Sequence, residues 1–116
     1  MKFPIAIFVL YLISFPSSAE SDWRIICQVN SELAEVIMKN RQQGMSMAKV
    51  MEIADMSSQD KMLSAFVESY IIKAYDSPRY STGEMQIRAI ENFRDERYLE
   101  CVKIFAVIKD AKSNLN

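Results

Sequence analysis

The chain has two cysteines, Cys27 and Cys101, and they stand near opposite ends of everything that follows its opening segment. Joined, they would hold the first and last folded segments side by side. The redox compartment decides whether they join, and the N-terminus bears on it. MKFPIAIFVLYLISFPSSAE has Lys2 as a positive start, an apolar run from Phe3 to Phe15, and Pro16 to end it. Ser17, Ser18 and Ala19 then put small residues where a signal peptidase inspects the chain. The apolar run is shorter than the roughly 20 residues that a spanning helix needs. Residues 1–19 therefore read as a signal peptide, with cleavage expected after Ala19, and residues 20–112 as a single domain. No cysteine follows the small residues, which argues against lipoprotein processing. An even cysteine count in an exported protein favours a disulfide. Closing a loop of about 74 residues contributes roughly 4 to 4.5 kcal/mol in the chain-entropy model. A metal pair or two free thiols would need partners that the sequence does not offer.

Charge narrows the partners. The chain carries 14 basic and 15 acidic residues, and cleavage would remove one of the lysines, Lys2. A balance this close to neutral gives no pull toward phosphate backbones or anionic lipid, so nucleic acid is not expected as a partner. The next most apolar run, IFAVI at 104–108, is short and flanked by Lys103 and Lys109. No membrane span is expected after signal cleavage.

Two glycines and three prolines in the whole chain are too little punctuation for a sheet of hairpins. The apolar spacing predicts helices. The first starts from Ser21 or Asp22, carries Trp23, Ile26, Cys27, Leu33, Ala34 and Ile37 on one stripe, and ends at Gly44. Asn30 falls on that stripe and must be hydrogen-bonded or peripheral. Ser46 caps a short second helix, MAKVMEIAD, with Met47, Val50, Met51 and Ala54 facing one way. The third helix is expected to start from Ser57 or Ser58, with Met62, Leu63, Phe66, Val67, Tyr70, Ile71 and Ala74 as its seam. Pro78 stops it. In Ser81-Thr82-Gly83-Glu84 the serine and the glutamate fit a capping box, and Tyr80 and Met85 fit the staple that goes with it. The fourth helix is expected from about Thr82 into the low hundreds, with Ala89, Ile90, Phe93, Cys101, Val102, Phe105 and Ile108 inward. Residues 113–116 read as a frayed tail. The expected fold is all-α: a small compact bundle of about four helices with one disulfide.

Histidine is absent. That removes the commonest general base, the Ser-His and Cys-His nucleophile pairs, and the commonest metal ligand. Ser46-Met47-Ala48-Lys49 matches the S-x-x-K spacing of penicillin-recognising enzymes, but the further motifs of those enzymes are missing. A serine cap followed by a solvated lysine explains it. Met45, Met47, Met51, Met56 and Met62 crowd one region. They suit a thioether site for cuprous copper, a pliable apolar surface for a partner, or gap-filling in a core. Glu84, Glu91, Asp95 and Glu96 read as a solvated face with Arg88 and Arg94 rather than as a hydrolytic pair. No cofactor, no metal and no catalytic residue is expected.

What remains is a set of residue types that carry interface energy, namely Tyr75, Arg79 and Tyr80 on the loop after the third helix, with Met45, Met47 and Met51. Arg41, Gln42 and Gln43 lie at another helix end. Spacing alone leaves open whether those two ends share a pole. The segments RQQGMSMAKVMEIA, AYDSPRYST and FRDERYLEC, with the early cysteine, resemble a loose group of uncharacterised exported bacterial and prophage-encoded proteins. That resemblance covers most of residues 27–101 and implies export and a helical fold, with nothing catalytic. The expectation is a periplasmic or extracellular protein that binds another protein, as an inhibitor, an immunity protein or an envelope-stress accessory. A small cell-wall glycan hydrolase using Asp or Glu, and an acid-stress periplasmic chaperone, are the alternatives.

Overall fold

Four helices form because each is closed at its ends by chemistry the sequence supplies. In the computed structural model, residues 22–57 and 60–115 are described; the expected signal peptide, the expected Ser21 and Ser58 caps and the side chain of Met62 lie outside the described residues. The order is α1 (Asp22–Gln42), α2 (Met47–Ser57), α3 (Lys61–Asp76) and α4 (Gly83–Asn114). Helix α1 has an acid in its first turn and Lys39 and Arg41 in its last, both favourable to its dipole. Its C-terminus closes as a Schellman motif. The Met45 amide donates to the Asn40 carbonyl at 3.0 Å and the Gly44 amide to the Arg41 carbonyl at 3.1 Å. Gly44 takes the left-handed conformation this requires, with φ of 90°.

Ser46 caps α2 as expected, its hydroxyl accepting from the Lys49 amide at 3.2 Å. Two boundaries differ from the sequence reading. Helix α2 runs on through Met56 and Ser57, because the Ser57 hydroxyl bonds back to the Ile53 carbonyl at 2.8 Å instead of opening the next helix. Helix α3 then begins behind Asp60, whose carbonyl takes the Ser64 amide at 2.9 Å. At its far end the Ser77 hydroxyl donates to the Lys73 carbonyl at 3.0 Å, satisfying one orphaned acceptor just before Pro78.

The start of α4 is also corrected. Thr82, not Ser81, is the N-cap, and its hydroxyl accepts from the Met85 amide at 3.3 Å. Glu84 does not reach back to the cap; it lies 3.6 Å from Arg88, one turn on. With the cap moved by one residue, Tyr80 and Met85 no longer occupy the staple positions. A polar contact joins the loop to the first turn instead, from Gln86 Nε2 to the Tyr80 carbonyl at 2.7 Å. Helix α4 passes through Arg94–Arg97 and continues to Asn114, well beyond the low hundreds.

The helices pack up, down, up, down. A disulfide joins Cys27 and Cys101, both fully buried, with Cα atoms 5.5 Å apart. Trp23 stacks on Phe105 at 6.4 Å between centroids, and Glu35 lies 3.6 Å from Arg94. Each step along α1 is thus matched by a step back along α4, so the two are antiparallel. Helix α3 runs with α1: Leu63 and Phe66 line a small cavity with Ile26 and Val29 near the two helix starts, and Tyr75 near the end of α3 bonds to Met45 just beyond the end of α1. Helix α2 returns along α3, with only a slight contact on α1, and buries Val50 alone.

The core is Ala34, Ile37 and Met38 of α1, Val50 of α2, Tyr70, Ile71 and Ala74 of α3, and Phe93 of α4. Met45, Met51, Phe66, Val67 and Ile90 pack around it. Asn30 is fully buried, with its amide 3.8 Å from Cys101 Sγ. Burial pushes the Tyr70 hydroxyl above its usual pKa, the Glu100 carboxylate adds to this, and Arg97 opposes it.

Two outcomes follow for stability. Replacing both cysteines by alanine should cost about 4 kcal/mol of the chain-entropy stabilisation, read as a lower urea midpoint against the oxidised protein. For Tyr70 the folded state favours the neutral phenol, so its contribution is complete below pH 10.0 and is lost as pH rises through the raised folded value. Urea titrations on either side of that pH should show the alkaline loss shrinking in Tyr70→Phe; an equal loss in both proteins would assign it to other groups.

Candidate functional site

Because α1 and α3 run the same way, their C-termini share a pole, and the two segments that sequence left apart meet there. Gln42, almost fully buried, is the hub. Its Nε2 donates to the Pro78 carbonyl at 2.9 Å and its Oε1 accepts from the Tyr80 amide at 2.8 Å. Its own carbonyl accepts from Arg79 Nε at 3.1 Å. One glutamine thereby satisfies three groups of the loop after α3.

Arg41 and Tyr75 reinforce it. The Arg41 guanidinium donates to the Ser77 carbonyl through Nε at 3.3 Å and Nη2 at 3.2 Å. It also lies 5.2 Å from the centre of the Tyr75 ring, a cation–π distance. The Tyr75 hydroxyl donates to the Met45 carbonyl at 2.6 Å. Its pKa is raised by partial burial, against the opposing pull of Arg41.

The predicted binding residues are therefore brought together, and most of their polar atoms are turned inward. Tyr75 and Tyr80 are half-buried, while Arg79 is exposed but lies across Gly44. A methyl group added at Gly44 would sit 2.9 Å from Arg79 Nη2. Among the methionines, Met45 and Met51 pack against the core, and Met47 and Met56 face solvent. What this pole exposes is Arg79, with Tyr75 and Tyr80 half-buried beside it.

The opposite end of the molecule is different. Where α1 begins, α4 runs on past it, and a groove of about 520 Å³ lies between them. Trp23 and Ile26 of α1 form one wall; Val102, Phe105 and Ile108 of α4 form the other. Asp22 stands at the α1 rim, and Lys109 and Lys112 at the α4 rim. Trp23 and Phe105 are half-buried, so their rings are held by each other and still reachable. Sequence reasoning placed both on inward stripes. It did not see the groove, which lies where α4 extends beyond the described start of α1.

Gly44 and Arg79 give a direct test of the pole. Gly44→Ala should lose about 1–2 kcal/mol from the left-handed backbone, and more where it displaces Arg79. In an Arg79→Ala background the second part should vanish, leaving a coupling of roughly 0.5–1 kcal/mol in a double-mutant cycle from urea unfolding. Additive losses would mean that Arg79 simply swings aside. No family model, curated protein or solved structure matches this chain.

Proposed function

We propose that this chain is an exported, periplasmic protein that acts by binding another protein, and that the α1/α4 groove receives an apolar helical segment of that partner. The observation that carries the reading is the Trp23–Phe105 stack lining an open apolar groove. Tryptophan in a concave, largely desolvated setting is the side chain that most often dominates interface energy. A groove between helices takes an amphipathic helix laid along it. With Lys112 on one rim, the segment that fits carries an acidic residue beside its apolar face.

Three further observations agree with this reading. A buried disulfide is compatible with an oxidising compartment. No helix among the described residues is long and apolar enough to cross a membrane. Of the acidic residues weighed for hydrolysis, Glu84 pairs with Arg88, Asp95 with Arg94 and Glu96 with Arg97. Inhibitor, immunity protein and envelope-stress accessory all remain roles of this kind.

The test compares the two ends of the molecule. Oxidised, tagged protein is used to capture partners from periplasmic extract, and the recovered partner is then titrated, purified, against wild type and variants by calorimetry. Trp23→Ala should weaken binding by at least tenfold, the loss of about 1.4 kcal/mol or more typical of an interface anchor. Tyr75→Ala and Arg79→Ala should leave it within a factor of about three. The reverse pattern would move the site to the Tyr/Arg pole. Loss of neither would remove the groove reading.

A further inference from the structure

We infer that the distal part of α4 pairs antiparallel with the same segment of a second copy of the chain. This goes beyond the groove, because it concerns the other side of that helix. Lys103, Ile104 and Val107 line a face that shares only Ile108 with the groove. At about 100° per residue, Ile104, Val107, Ile108 and Ala111 form one continuous stripe. Val107 is 67% exposed, Ile108 44% and Ile104 38%. The stripe lies on a side of α4 lined by α4 residues alone, except at Ile108, which also lines the groove beside Trp23. A helical end of this length is marginal in water without a partner, which makes a bare apolar stripe on it costly.

Charge selects the occupant. Lys103 precedes the stripe and Asp110 follows seven residues later, at the equivalent position of the next repeat. With Ile104 set against Val107 of a second helix running the other way, Lys103 comes beside Asp110 of that copy. Two-fold symmetry repeats the pair, so one lysine and one aspartate per chain make two complementary contacts. A parallel pairing would set Lys103 against Ile108 and lose both. The segment thus carries both halves of its own complement. The stripe is short, so the contact falls below the roughly 800 Å² per partner of a stable interface. The dimer is accordingly weak and reversible, populated at high micromolar concentration.

Sedimentation velocity on the oxidised protein, from low micromolar to near-millimolar concentration, tests this. The expected result is a concentration-dependent rise toward twice the monomer mass in wild type, and none in Val107→Glu. Lys103→Asp and Asp110→Lys should each weaken association severalfold, and the two together should restore it. Circular dichroism confirms that each variant keeps its helices; Val107 is largely exposed, so folding should be unaffected. A monomer throughout the range overturns the inference. So does a dimer that survives Val107→Glu, or one that Trp23→Ala abolishes while Val107→Glu does not. A double swap no better than either single change would overturn the antiparallel register.

Discussion

The bond between Cys27 and Cys101 fixes where α1 lies against α4, and most other contacts presuppose that register. It sets Trp23 beside Phe105 on one side and Glu35 within reach of Arg94 on the other. A one-residue slip along α4 would rotate its inward face by about 100° and take Phe93 off the core. Surface ion pairs such as Glu35–Arg94 are each worth less than about 1 kcal/mol and could not hold a register alone. The covalent link does it from one end. From the other end, Gln42 does it by satisfying the loop that leads into α4.

These two anchors divide the molecule by chemistry. At the Gln42 pole, backbone carbonyls and amides of an irregular loop would be left without partners if buried bare, so polar side chains are drawn inward to meet them. Arg41, Gln42, Tyr75 and Arg79 are spent on that task. At the disulfide end the walls of the groove are helical residues of α1 and α4, whose backbone groups bond within their own helices. Aromatic side chains there are free to line a groove.

Much of this was legible in the sequence. The helix count, the disulfide, the Ser46 cap, the Gly44 terminus and the seam of α3 all follow from local patterns that tertiary packing did not override. The α4 cap was misplaced by one residue because Ser81 and Thr82 are both competent caps, and local chemistry does not rank them. Met38 and Gln42 were missed as core residues for different reasons. Met38 adjoins Ile37, so a stripe already looked filled. Gln42 is polar, and its burial is explained only by loop carbonyls that lie 36 residues away in the chain. The shared pole of α1 and α3 depended on the direction of α2, which no residue of α2 encodes by itself.

Helix α1 is the element on which α3 and α4 lean, and its most extensive partner is the last to be made. As the chain emerges from its N-terminus, α1, α2 and α3 can meet. Phe93 and the second sulfur arrive only after the rest of the domain has been exposed. Contacts so distant in sequence demand a large loop closure before they repay it. A nascent chain of this kind has no durable partial fold to rest in, and its apolar α1 face stays open until the last third of the chain is present. Its survival during biogenesis therefore turns on how quickly the C-terminal third follows the N-terminal one.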